Sequence, residues 1–436
     1  MKKIILLVGL IIFSSCTTKN SERESLNQEL TEMEIVKKTF SDINNLLKND
    51  NGKFWNKQLN GPIIIVNPET REFFANENNT SLKFKEINSL FSDTLPKNIN
   101  IANTALNWEN KRWTMVMLPL PVDKISRNNL VIHELFHRIQ PEIGFENLPE
   151  GNNSHLDTYE GRLLLKLELE ALKEALSSKT ENEVNLNLKN AMTFRNIRQN
   201  DSIKKIAENL LEVNEGLAEY TAIMLSGRTE KQIKLHLTNS INQFYTNPTF
   251  VRSFAYQTIP VYGYLLSKQR NNWNIEITGS TNLTDYFIEA LSVDLTNNSS
   301  FEQIAKENDY NYQDIVVIEK TRENERLAKI EEFKRIFLKE PILKLNFENM
   351  NISFDPRNIT PLENFGTVYP TMRVTDNWGI LTVENGALLD SNWGNVIVSK
   401  PTEINNKIVK GSGWTLELKE NWIVEKTEGK FILKKK

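Results

Sequence analysis

The sequence predicts an α+β fold in which a region of mixed strands and helices is followed by a small all-β region. Up to about residue 338, apolar residues at helical spacing alternate with short runs of β-branched residues. A long charged helix is expected over residues 312–337. From Glu340 onward, short alternating runs are broken by Gly, Asn and Pro, and four of the eight tryptophans lie there. This composition is typical of a sandwich or barrel.

The length and charge of the chain limit the number of its domains and the kinds of partner it can bind. It has 436 residues, of which 39% are hydrophobic, enough for two or three domains with sizeable cores. We expect a signal peptide over 1–16, a flexible tether over 17–30, a first domain over 31–338 and a β domain over 339–436. The net charge of −3 and the pI near 6.0 argue against a nucleic-acid partner.

The N-terminal sequence predicts where in the cell the protein is located. Residues 1–3 are basic, and residues 4–13 are apolar but too few to span a membrane. Two serines precede Cys16, a pattern typical of a bacterial lipoprotein lipobox in which this cysteine is lipidated; an ordinary cleaved signal peptide is the alternative. Cys16 is the only cysteine, so neither an intramolecular disulfide nor a thiolate metal site is expected. We expect a membrane-anchored protein of the bacterial cell envelope, outside the cytoplasm.

The start of the first domain predicts one helix and several short strands. Apolar spacing and turn residues place them at 31–50 (helix), and at 63–66, 73–74, 99–105 and 113–118 (strands). The last strand directly precedes the chain's most informative motif. Whether it lies inside a sheet or at an edge is open at this point.

His133-Glu134-Leu135-Phe136-His137 is an HExxH motif. On a helix its two histidines lie on one face, one turn apart, so both imidazoles can reach a single metal ion. Glu134 is offset to one side, where its carboxylate can act as a general base on water. Apolar flanking residues predict that the helix is buried, and a buried histidine pair needs a partner. These flanking residues are Leu130, Val131, Ile132, Phe136 and Ile139.

A hydrolytic zinc takes three protein ligands and keeps a fourth position open. The metzincin motif would supply the third from a histidine six residues after His137, but that position is Ile143. The best candidate lies in the helical run 202–225, where Glu215 and Glu219 share one face. We expect Glu215 on the metal and Glu219 behind it, accepting a hydrogen bond from a ligand imidazole.

A solvated acidic face is the alternative reading of these glutamates. The small residues Gly216 and Ala218 instead predict close packing of this helix against another element. If Glu215 is not the third ligand, Glu219 and His155 are the next candidates.

Together these segments resemble the gluzincins, the metallopeptidases similar to thermolysin and aminopeptidase N. The resemblance rests on residues 113–140 and on 211–225, where the chain reads NEGLAEY. It implies a zincin-like fold with one Zn²⁺ per chain held by His133, His137 and Glu215. It also implies that Glu134 is the general base and that Glu219 orients a histidine. The 77 residues between His137 and Glu215 exceed the spacing of the best-known members and indicate a divergent branch.

Gluzincins of the aminopeptidase N type carry a Tyr-x-x-Gly helix whose phenol stabilises the oxyanion. Tyr256 matches the tyrosine, although Ile259 stands where the glycine is expected. Tyr262, just before Gly263, is the competing candidate.

Two helices, 159–177 and 183–198, are expected between the ligand segments, with Asp157 capping the first. His155, just before it, is a further candidate for contact with a substrate, whereas His236 is expected to be structural. Three arginines of these helices either line a cleft, where they would bind a substrate carboxylate, or are solvated. They are Arg162, Arg195 and Arg198.

The resemblance implies a membrane-anchored zinc metallopeptidase that acts on a peptide or protein. The alternative is a catalytically inactive surface lipoprotein that binds a protein or glycan partner through its β domain. The tryptophans of that domain are more often core residues than a sugar platform. The intact HExxH motif favours the enzyme, because loss of Glu134 is the simplest route to inactivity.

Overall fold

The computed structural model describes residues 31–79, 81–146, 148–149, 151–296, 299–354 and 359–436. The predicted signal peptide, the lipidation site Cys16 and the tether lie outside these residues. The chain combines helices and strands, as the sequence predicts. Among the described residues, no helix is both long and apolar enough to cross a membrane.

The described residues form eleven α-helices. They are α1 (Glu32–Asp50), α2 (Lys124–Ile139), α3 (Tyr159–Ser177), α4 (Glu181–Arg198), α5 (Ser202–Leu211), α6 (Leu217–Leu225), α7 (Glu230–Phe244), α8 (Ala255–Ser267), α9 (Leu283–Ala290), α10 (Phe301–Glu307) and α11 (Tyr312–Lys334). The first begins at a capping box, in which Thr31 and Glu34 each accept a hydrogen bond from the other's backbone N–H. It ends at Asn51 in the left-handed conformation.

A six-stranded sheet lies at the N-terminal end of the described chain. Its strands are β1 (Ile63–Val66), β2 (Glu72–Ala75), β3 (Lys85–Ile87), β4 (Leu90–Thr94), β5 (Thr104–Trp108) and β6 (Lys111–Met117). Their order is β3-β4-β2-β1-β6-β5, with β1 and β6 parallel and all other pairs antiparallel. Strand β6, predicted over 113–118, is therefore an interior strand, and β5 forms the edge beside it.

The strand predicted over 99–105 is wrong in its bounds, because β5 begins only at Thr104. The carbonyl of Ile99 accepts a hydrogen bond from the side chain of Arg71, not from a neighbouring strand. Ile99 and Ile101 nevertheless pack against the apolar cluster of this sheet. Their apolar pattern reflects packing from a loop and not strand pairing.

Helix α2 carries the HExxH motif and follows β6. Asp123 caps it by accepting a hydrogen bond from the backbone N–H of Ser126. Four of the five predicted flanking residues are fully buried in the main core, as expected, while Leu130 is half-buried. After Ile139 the chain makes a 3₁₀ turn, Gln140–Ile143.

The run predicted as one helix over 202–225 is interrupted by a π turn, Glu212–Gly216, between α5 and α6. Buried Glu212 pairs with Arg195 and accepts a hydrogen bond of 2.6 Å from the Thr258 hydroxyl. A Cβ on Gly216 would lie 2.7 Å from the Cγ1 atom of Ile259, so helix α8 packs directly against the turn. The predicted close packing is confirmed, and partners from α4 and α8 hold the π turn.

The predicted roles of the insertion arginines are wrong. Arg195 and Arg198 are buried inside the protein and do not face solvent. Arg195 pairs with Glu168 (3.0 Å) and Glu212, and Arg198 pairs with Glu208 (2.9 Å) and Glu168. All three carboxylates are buried as well, so each guanidinium charge is paired with carboxylates inside the protein. We call these five residues the buried ion network.

The segment before α3 also differs from the prediction. Thr158, not Asp157, caps the helix by accepting a hydrogen bond from the N–H of Gly161. The Asp157 carboxylate instead pairs with buried Arg162 (2.8 Å) and accepts a hydrogen bond from the N–H of Phe250. Arg162 is therefore not a cleft residue.

The C-terminal strands form two further sheets. The strands are β7 (Ile342–Asn346), β8 (Asn351–Phe354), β9 (Thr360–Pro361), β10 (Thr367–Tyr369), β11 (Met372–Asp376), β12 (Gly379–Val383), β13 (Ala387–Leu389), β14 (Asn395–Ser399), β15 (Pro401–Ile404), β16 (Ile408–Gly411), β17 (Trp414–Leu418), β18 (Trp422–Thr427) and β19 (Lys430–Lys435). Their orders are β18-β19-β7-β14-β13-β10-β9 and β15-β16-β17-β12-β11-β8. Side chains of both sheets share one hydrophobic core.

Two of the tryptophans in this region, Trp378 and Trp414, are buried in that core, while Trp393 is 43% exposed. The long charged helix predicted over 312–337 ends as an α-helix at Lys334 and continues as a π turn, Arg335–Lys339. Phe333 and Phe337 at this end pack against apolar residues of the β region. The apolar end of the helix is thereby covered.

Candidate metal centre

Among the described residues, one group of three His, Cys, Asp or Glu side chains is close enough to hold a metal ion: His133, His137 and Glu215. The two Nε2 atoms of the histidines are 3.1 Å apart. The Oε2 atom of Glu215 lies 3.3 Å from Nε2 of His133 and 3.4 Å from Nε2 of His137. Helix α2 presents the two imidazoles one turn apart, and the π turn brings the carboxylate to them.

These separations fit zinc. Ligand atoms about 2.1 Å from a tetrahedral Zn²⁺ lie about 3.4 Å from one another. Two imidazoles and one carboxylate form a donor set of catalytic zinc sites. Each of the three atoms can carry a lone pair, and three such atoms this close together favour a positive charge between them.

The remaining nitrogen of each histidine is held by a side-chain oxygen. Nδ1 of His133 lies 3.0 Å from Oε2 of Glu219, and Nδ1 of His137 lies 2.7 Å from Oε1 of Gln140. With Nδ1 as the donor in both pairs, the Nε2 lone pairs are free for a metal. Glu219 thus lies behind the His133 imidazole and not in the triangle of donor atoms.

The electrostatics of the site also favour a positive charge near the two histidines. Burial opposes protonation of His133, but its hydrogen bonds with Glu215 and Glu219 raise its pKa to about 10. Burial alone would raise the pKa of Glu215, whereas the hydrogen bonds with His133 and His137 hold it well below its usual range. The carboxylates therefore stabilise a positive charge at the histidines, whether it is a proton or a metal ion.

Glu134 faces the same cavity as His133, His137 and Glu215 and is 6% exposed. In the described part of the chain, no group donates a hydrogen bond to its carboxylate. Burial raises the pKa of Glu134 above its ordinary value, although His133 and His137 oppose this shift. A carboxylate with a raised pKa and no protein partner is suited to exchange protons with water.

The structure distinguishes between the two tyrosine candidates. The Tyr256 hydroxyl donates a hydrogen bond to Oε2 of Glu215, and its ring stacks on the His133 imidazole at 5.5 Å between centroids. Tyr262 lies on another face of α8, is fully buried and donates to Glu168 (2.9 Å). The structure places Tyr256 in the site and excludes Tyr262.

The donor atoms open into a cavity of about 690 Å³, a size typical of ligand sites. Its lining includes one face of α2, and also Asn103, Thr104 and Ala105 at the start of the edge strand β5. The edge strand β5 therefore borders the cavity, and Arg112 of the neighbouring strand β6 also lines it. His155 does not reach the cavity, because its Nε2 pairs with Glu208 at 2.7 Å.

Several polar residues of this cavity were assigned no site role from the sequence, among them Asn129, Gln140, Arg228 and His236. Asn129 lies on the same face of α2 as the histidines, and Gln140 caps the C-terminus of this helix about one turn after His137, so helical spacing was a usable signal for both. Asn129 donates to Glu219 (3.0 Å) and accepts from Arg228 (2.6 Å). Arg228 and His236, the latter expected to be structural, also line the cavity, and no local pattern marks either one.

Neither the protein-family models, the curated proteins nor the solved structures contain a match to this chain. The case for a function therefore comes from the side chains described above.

Proposed function

We propose that this chain is a zinc-dependent metallopeptidase of the gluzincin type. The observation that carries the proposal is the triangle of donor atoms from His133, His137 and Glu215, with sides of 3.1 to 3.4 Å. Glu134 opens into the same cavity. The HExxH motif on α2 and the NEGLAEY segment across the π turn support a zincin-like arrangement.

His133, His137 and Glu215 would hold the zinc ion. When bound, zinc supplies a Lewis acid for the scissile carbonyl and makes water more acidic. Glu134 takes a proton from the attacking water and gives it to the leaving amine. Glu219 and Gln140 hold the two imidazoles in the orientation that leaves their Nε2 atoms available.

The position of β5 supports a peptide substrate. This strand pairs with β6 on one side only and borders the cavity with its first residues. An extended peptide can add to such an edge through main-chain hydrogen bonds, whatever its sequence. The proposal retains the lipid anchor at Cys16, which places the peptidase at a membrane of the cell envelope.

The direct test is cleavage of a peptide library by the full chain, with zinc measured by elemental mass spectrometry. We expect about one zinc per chain and defined products in the mass spectrum. Cleavage should stop after chelation and return when zinc is added back. A zinc-loaded chain that cleaves no peptide would favour the inactive binding protein, and cleavage that survives chelation would exclude the metal mechanism.

Tyr256→Phe should reduce kcat about 100-fold to 1000-fold, because the phenol donates a hydrogen bond to charge that develops in the transition state. KM and zinc content should stay close to those of the wild type. Tyr264→Phe is the matched control, since Tyr264 lies on the same helix and its hydroxyl bonds Glu230 outside the cavity. If Tyr256→Phe loses zinc instead, the hydroxyl serves to hold Glu215.

A further inference from the structure

One end of the cavity is lined by two basic side chains. Arg228 and His236 line it, beside Ser126 and Asn129 near the start of α2. Asn129 precedes His133 by four residues, which is about 6 Å along the helix axis. An extended peptide advances about 3.3 Å per residue. This end of the cavity is therefore within about two substrate residues of the metal centre.

Arg228 has hydrogen-bond donors that no described residue accepts. Within the described part of the chain, all the hydrogen bonds that it donates start from Nη1 and end on Asn129 and Ser226. Its Nε and Nη2 groups donate to no described residue, and no described carboxylate forms an ion pair with it. The guanidinium is half-buried and always charged, so these donors favour an anionic acceptor in the cavity.

The carboxylates closest to Arg228 are already engaged. Glu219 bonds His133 and Asn129, and Asp123 caps α2 through Ser126. Neither one supplies the acceptor that Nε and Nη2 lack.

Arg112, the other arginine at the cavity, lacks this property. Its guanidinium donates to the carbonyls of His137 and Arg138 and to the side chain of Asn107. The imidazole of His236 makes no hydrogen bond with a described residue. Arg228 and His236 thus form the part of the wall where donors remain available; we call it the Arg228 end.

We infer that the Arg228 end binds a carboxylate of the substrate within two residues of the scissile bond, with the guanidinium as its main partner. The inference rests on the proposed peptidase function, because the metal centre defines the scissile bond. Two sources share this chemistry. The C-terminal carboxylate of a peptide would lead to release of one or two C-terminal residues, and an Asp or Glu side chain would select internal sites.

The test measures peptide binding without cleavage. The zinc-loaded Glu134→Gln chain is titrated with fluorescent peptides that differ in one group. One pair compares a free C-terminal acid with its amide, and other pairs compare Glu with Gln at each position. We expect one kind of acid to bind at least about tenfold more tightly than its neutral partner. Adding Arg228→Gln should bring that ratio close to one.

The ratio compares two peptides on the same protein, so a partly unfolded variant does not alter it. Lys231→Gln is the matched control, since it removes an exposed positive charge on α7 outside the cavity. It should leave the ratio unchanged. Arg228→Lys keeps the charge and should retain part of the preference, which a purely structural role of the Asn129 contact would not predict.

Each result decides between the alternatives. A preference for the free C-terminus that depends on Arg228 identifies the terminal carboxylate, and a preference for Glu over Gln identifies an acidic side chain. No preference, or one that Arg228→Gln leaves intact, overturns the inference. Wild-type cleavage without such a preference would sustain the peptidase and remove the carboxylate site. An Arg228-dependent preference in a chain that never cleaves a peptide would support the carboxylate site and contradict the proposed peptidase function.

Discussion

Glu134→Gln should lower kcat/KM for peptide hydrolysis by about a thousandfold or more while the chain keeps its zinc. Glutamine has nearly the same size as glutamate but cannot take a proton from water. The Glu134 carboxylate is not part of the triangle of donor atoms, so the metal should stay. Steady-state kinetics on the best peptide of the library, together with elemental mass spectrometry, measure both quantities.

The control for this variant is Glu142→Gln. Glu142 lies on the 3₁₀ turn after α2, is exposed and pairs with Lys57 away from the cavity. Its replacement should leave kcat/KM within about twofold of the wild type, as is usual for surface positions. Glu134→Gln with near-normal kcat/KM would refute Glu134 as the general base.

Glu215→Ala should cost the chain its zinc and hence its activity, because only two imidazole ligands remain. Glu219→Ala is the matched comparison, since Glu219 contacts a ligand imidazole but not the metal position. Loss of such a supporting group weakens zinc binding about 10-fold to 100-fold, and loss of Glu215 should weaken it more. Competition with a chromogenic zinc chelator gives both affinities.

The order of these two affinities is the decisive result. If Glu219→Ala loses zinc while Glu215→Ala retains it, the third ligand is Glu219. His155 no longer competes for this role, because it pairs with Glu208 outside the cavity. Retention of zinc by both variants would refute the proposed ligand set.

The features of the site that depend on local spacing could be predicted from the sequence. The HExxH helix needs only the repeat of an α-helix to bring His133 and His137 together, and its apolar flanks predict its burial. The pairing of Glu219 with His133 follows from a similar spacing on the second helix. Elements bounded by strong turn residues, such as β1, were predictable for the same reason.

Features that depend on distant parts of the chain could not be predicted in this way. The order of the strands, which puts β5 and not β6 at the edge, is set by pairing across the sheet. The burial of Arg195 depends on carboxylates from two other helices. Arg228 follows the end of α6, and only its contact with Asn129 shows that it belongs to the cavity.

The π turn has a consequence for how one helical run serves two sites. In an uninterrupted α-helix, four glutamates at positions i, i+4, i+7 and i+11 would form a single acidic stripe. They are Glu208, Glu212, Glu215 and Glu219. The wider turn divides this stripe, so that the first pair belongs to the buried ion network and the second pair faces the histidines. The number of residues in this segment, and not only their identity, thus sets the register of Glu215, the proposed third ligand. An insertion or deletion there would merge the two pairs of glutamates or misdirect one of them.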